Sequence, residues 1–181
     1  MAEIPDEAHG RVTNPERYRV VQDAARRLIE ELREAFDVHE RPAPSSDPVF
    51  ASCQVAFSDM VQLVPTGEGT TPITLAFSDF PSVFLRSGAW QLSAYPGCGC
   101  DACDEDPHDV AALLRHDVEV VAAGGLSEEW DGEWMRTAWV HPDGSSSSGG
   151  ALREAGRELL GEPRRYEWRP WQRKAPSSTR A

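Results

Sequence analysis

An α+β fold is predicted: an antiparallel sheet of about five strands, two main helices packed on one face and a short C-terminal helix. Three features of the sequence predict it. Apolar side chains recur at three- and four-residue steps over residues 15–36, and again over residues 107–123. Between them, residues 53–94 divide into short alternating segments joined by Gly- and Pro-containing turns, the pattern of an antiparallel meander.

The first helix is announced by Asn14 and Pro15, an N-cap residue followed by the residue best suited to the first helical position. Tyr18, Val21, Ala25, Leu28, Ile29, Leu32 and Phe36 then form one apolar stripe, with Arg and Glu on the wet side. Pro42, Pro44 and Pro48 make residues 41–48 a connector, because proline neither continues a helix nor donates to a sheet ladder. Cys53, Val55, Phe57, Val61 and Leu63 alternate with smaller or polar residues as a half-buried strand, and Asp59 breaks the alternation where a bulge is expected. Strands are expected again at residues 73–77, 83–85 and 90–94. Asp106 and Pro107 open the second helix, and Gly124-Gly125 stops it. Residues 134–140 read as another strand and residues 166–171 as an edge strand. Residues 145–150 have a flexible composition, and Leu152, Ala155, Leu159 and Leu160 give the short third helix.

The 181 residues suit a single α+β domain at 10–171, with a flexible N-terminus at 1–9 and a disordered tail at 172–181. At that size a hydrophobic core forms without help from disulfides or metal. No apolar run approaches the roughly 20 residues that a membrane helix needs. Residues 1–7 are acidic and have neither a basic nor an apolar signal region, so a cytoplasmic location is expected. The formal charge of −12 argues against nucleic acid and against an anionic membrane, both of which an acidic surface repels. It suits a basic protein partner. No phosphate loop, dinucleotide-binding fingerprint, nucleophile elbow or His-Glu-x-x-His motif occurs.

Chemistry concentrates in residues 96–107, where Cys98, Cys100 and Cys103 place three of the four cysteines within six positions. Thiolates bind soft metals such as zinc, and structural zinc sites take four ligands. Gly97 and Gly99 supply the backbone freedom for a tight wrap. The candidate metal ligands are therefore Cys98, Cys100, Cys103 and His108, with Cys53, Asp101 and Asp104 as alternative fourth donors. Redox or nucleophilic chemistry is the second reading, although adjacent acids disfavour a free thiolate unless a cation is bound. The third is a loop whose small cysteines merely pack while its acids cap the next helix.

The stretches Gly10-Arg11-Val12-Thr13-Asn14-Pro15-Glu16-Arg17, Phe80-Pro81, Gly88-Ala89-Trp90 and Cys98-Gly99-Cys100-Asp101-Ala102-Cys103-Asp104-Glu105 resemble an uncharacterised bacterial family, domain of unknown function 6226, found in actinobacteria. The resemblance spans roughly residues 10–170. It implies a single-domain bacterial protein and brings no activity, cofactor or substrate. The expected function is a non-enzymatic cytoplasmic acidic module that binds a protein partner, with a structural metal at the cysteine loop. The alternative is a thiol- or metal-dependent enzyme using the same cysteines.

Overall fold

A computed structural model describes residues 9–43, 47–51, 53, 55–142, 144–151, 157 and 160–175. A 3-10 turn at Pro15–Tyr18 leads into helix α1 (Arg19–Ala35), followed by strand β1 (Val38–Pro42) and the short helix α2 (Pro48–Ala51). Strands β2 (Phe57–Pro65), β3 (Ile73–Ser78), β4 (Val83–Ser87) and β5 (Gln91–Tyr95) precede helix α3 (Pro107–Ala122). The chain ends in β6 (Leu126–Trp130), β7 (Trp134–His141), β8 (Gly144–Ala151) and β9 (Arg164–Glu167).

The expected five-stranded antiparallel sheet is present, in the sequential order β1-β2-β3-β4-β5. Its central strand β3 is buried at every position. Leu63, Ile73, Leu75, Phe77, Val83 and Leu85 meet Val21, Ala25, Leu28 and Leu32 of α1 and Leu114, Val118 and Val121 of α3 in one core. Both main helices thus bury their stripes on the same face, as amphipathic helices must. The bulge expected at Asp59 appears as a register shift between Phe57 and Asp59.

Several local expectations are corrected. Asn14 makes no side-chain cap bond, and the turn it precedes is 3-10 rather than the first turn of α1. Arg41 and Pro42 end an edge strand instead of a loop. Pro42 is tolerated there because an edge position need not donate on its outer side. Cys53 lies in a turn before β2, not in the strand.

The larger departure is a second, four-stranded sheet in the order β8-β7-β6-β9. Residues 145–150, flexible by composition, form most of β8, which pairs with β7 from Trp134↔Ala151 to His141↔Gly144. Pairing overrides weak Ser and Gly propensity here. A Cβ at Gly149 would stand 2.6 Å from the Met135 carbonyl oxygen, so glycine lets the two backbones approach. The expected short helix at 152–160 falls almost wholly outside the described residues.

Glu128 of β6 joins the two sheets. It is 1% exposed, and its carboxylate accepts from the backbone N–H groups of Ala89, Trp90 and Gln91 at 2.6, 3.1 and 3.2 Å and from Trp168 Nε1 at 2.9 Å. Gly88, at φ +61°, turns the β4–β5 connection around it, and a Cβ there would overlap the carboxylate. The carboxyl-terminal segment is fastened alongside. Trp171 Nε1 donates to the Thr71 carbonyl at 3.0 Å, and the Lys174 backbone N–H to the Ala35 carbonyl at 3.0 Å.

Two stability measurements follow from this packing. Leu75→Ala opens a cavity in the central strand and is expected to cost about 2–5 kcal/mol in urea unfolding. Glu128→Gln keeps the shape but turns an amide NH2 toward N–H donors, and a loss of about 1–3 kcal/mol is expected. A Glu128→Gln midpoint equal to wild type would show that the clamp carries no stability.

Candidate metal centre

The cysteine loop leaves β5 through a cis Tyr95–Pro96 peptide and ends at the N-cap of α3. Asp106 is that cap, as expected: its Oδ1 accepts from the backbone N–H groups of His108 at 2.8 Å and Asp109 at 3.3 Å, which hold its carboxyl below the usual carboxylate range. Glu105 turns back over the loop, and its Oε2 accepts from the N–H groups of Cys98 at 3.1 Å and Gly99 at 3.2 Å. Gly99 has φ +76°, and a Cβ there would come within 2.8 Å of the Phe80 ring. Only glycine makes this turn against this neighbour.

The wrap brings the sulfurs of Cys98, Cys100 and Cys103 within 4.8 Å of one another. All three are free thiols; Cys100 is buried, and Cys98 and Cys103 are exposed. Cys100 Sγ receives the Cys98 thiol and the backbone N–H groups of Gly10 and Cys103, which bring its pKa down to about 6. Cys103, hydrogen-bonded to Cys100 and then to Cys98, is pushed up to about 12. The two shifts run in opposite directions because a thiolate at Cys103 would meet one at Cys100 at close range, which is a penalty on the second charge. A cation among the sulfurs removes that penalty.

The Cys100–Cys103 turn is also bonded within itself: the N–H groups of Cys103 and Asp104 donate to the Cys100 carbonyl at 3.2 and 3.1 Å. Asp104 takes φ +43°, an unusual angle for a residue with a Cβ. His108, the fourth sequence candidate, is exposed on the first turn of α3, outside the group formed by the three sulfurs. Cys53 is also outside it, with its thiol directed at the Val49 carbonyl at 3.6 Å.

Residues before and within the 3-10 turn hold the loop from outside, a contribution that no cysteine spacing signals. The Asp101 N–H donates to the Arg11 carbonyl at 2.8 Å. The Asp101 carboxylate accepts from the Thr13 N–H at 2.9 Å, Arg11 Nε at 2.9 Å and Thr13 Oγ1 at 3.1 Å. The Thr13 amide first and Arg11 second hold its carboxyl below the usual range. Arg17 Nη1 binds Asp104 at 2.7 Å, and the buried Tyr18 hydroxyl donates to the Glu105 carbonyl at 3.3 Å. Phe80 stands against Tyr18 with ring centroids 6.1 Å apart.

Three of the stretches that carry the family resemblance, around Arg11, Phe80 and Cys100, therefore meet at this loop. A family model described as a family of unknown function, DUF6226, matches residues 1–175. The chain belongs to the DUF6226 family. No curated protein and no solved structure gives a significant match.

Elsewhere in this DUF6226 chain, the scattered sequence positions of His116 and His141 hide a pair. His116 Nε2 and His141 Nδ1 are 2.7 Å apart and the rings are parallel within 7°. The pair borders a groove between α1, α3 and the end of β7 with a volume of about 1210 Å³. A smaller groove lies on the second sheet beside Trp134 and Arg136. Neither is lined by the cysteine loop. No helix among the described residues is long and apolar enough to cross a membrane.

Asp101→Ala is expected to speed hydrogen exchange at the Thr13 amide while leaving the β3 amides protected. Unchanged Thr13 exchange would show that the lacing is not maintained in solution.

Proposed function

We propose that this protein is a non-enzymatic acidic module in which Cys98, Cys100 and Cys103 bind one thiophilic metal ion, zinc in the first instance, that stabilises the loop. The observation that carries the reading is the mutual approach of the three sulfurs within 4.8 Å. Around a tetrahedral zinc with S–Zn bonds of about 2.3 Å, neighbouring sulfurs stand about 3.8 Å apart, so small side-chain adjustments suffice. The N–H groups of Gly10 and Cys103 at Cys100 are an outer shell of the kind that orients a metal ligand.

The non-enzymatic part rests on the position of the loop. Neither groove is lined by the cysteines, so a metal there has no neighbouring cleft for a substrate among those described. The formal charge of −12 favours a basic protein as partner, since charge complementarity steers encounter. The exposure of Cys98 and Cys103 favours the competing reading, a thiol enzyme. Metal content separates the two.

Elemental analysis of protein purified without chelator is expected to find one zinc per chain. Thiol titration should find Cys53 reactive at once and the other three only after chelation. Chelation should also lower the melting temperature, because metal binding to the native state adds to its stability. Cys100→Ser should abolish the metal. Metal-free protein with four thiols reactive from the start, and no gain in melting temperature on adding zinc, would exclude this function.

A further inference from the structure

Three sulfurs leave one tetrahedral position to fill, and the carboxylates of the loop are already engaged. Asp101 holds Thr13 and Arg11, and Asp104 holds Arg17. Glu105 holds the Cys98 and Gly99 amides, and Asp106 caps α3. Asp101 uses both of its oxygens in these contacts and Asp104, Glu105 and Asp106 one each, so a donor from outside the loop leaves them all undisturbed. Electrostatics points the same way. Zinc with three thiolates carries net charge −1, in a protein of formal charge −12, and a neutral donor adds no further repulsion.

His9 precedes Gly10, whose backbone reaches Cys100. Its peptide carbonyl carbon is bonded to the Gly10 nitrogen whose N–H is directed at Cys100 Sγ. The His9 Cα is therefore about 2.4 Å from an atom that already touches the cluster. The His9 ring is exposed and has no hydrogen-bond or ion-pair partner among the described residues. Immediately after it, Gly10 takes φ +78° in open space, and Arg11 and Thr13 tie the strap to Asp101. The backbone N–H of His108, by contrast, is bonded to Asp106 on a capped helix and not to sulfur.

We propose that His9 is the fourth ligand, completing a Cys3His site with Cys98, Cys100 and Cys103. The inference rests on the metal reading of the loop and makes the site a closed one. The imidazole has to move to reach the ion, since the sulfurs of Cys98, Cys100 and Cys103 alone form the group within 4.8 Å. It binds as the neutral ring, and the thiols release their protons to solvent as the metal enters.

Cobalt(II) added to the full chain, in place of zinc, reports the donor set through its visible d–d bands. Wild type, His9→Ala and His108→Ala are compared, with near-UV circular dichroism as the check on folding. His9→Ala is expected to shift those bands and weaken cobalt binding by about 100-fold or more, whereas His108→Ala matches wild type. Wild-type bands and affinity in His9→Ala overturn the assignment, and so does a loss that appears in His108→Ala instead. A wild-type chain that takes up neither cobalt nor zinc removes the metal reading itself, a different failure from the wrong fourth ligand.

Discussion

Asp101 ties two distant parts of the chain into one object. Its carboxylate accepts from Thr13 and Arg11, and its own N–H donates to the Arg11 carbonyl. Arg17 and Tyr18 add ties to Asp104 and Glu105, but it is this knot that fixes the stretch at Arg11–Thr13 against the cysteine loop. With it, the Gly10 amide is delivered to Cys100 and the three sulfurs face a common volume. A single carboxylate in the midst of three cysteines does the work of a hinge pin. The thiols belong to a tertiary site rather than to a local turn.

Much of this was legible in the residues, for physical reasons that differ by element. The stripe of α1 is long and periodic, so helix and buried face could both be read; α3 was legible as a helix, but its apolar residues are less regularly spaced and Leu113 among them is exposed. The meander from β2 to β5 carries alternation and turn residues, and even the bulge at Asp59 showed as a break in period. The Asp106 cap followed from local chemistry alone.

What escaped depends on partners far away in the chain. β8 is Ser- and Gly-rich, and only its pairing with β7 makes it a strand. Glu128 looks like one acid among many until the Gly88–Gln91 turn and Trp168 close around it. At the cysteine loop the three thiols were apparent from spacing. The lacing by Arg11, Thr13 and Arg17 was not, because it joins residues nearly ninety positions apart. His116 and His141 looked scattered for the same reason, since 25 positions separate two rings that share a hydrogen bond.

β8 has a further consequence for how the molecule meets others like itself. An outermost strand offers a free row of N–H and C=O groups to any passing chain, and many proteins guard such a rim with lysine, proline or a twist. Here the rim is Gly144-Ser145-Ser146-Ser147-Ser148-Gly149-Gly150-Ala151, with no charge along it. Its protection is of another kind. A neighbour that docked there would gain backbone hydrogen bonds but almost no apolar burial, and backbone bonds exchanged for water bonds give little net adhesion. The sheet stops growing at β8 because it runs out of side chains to offer.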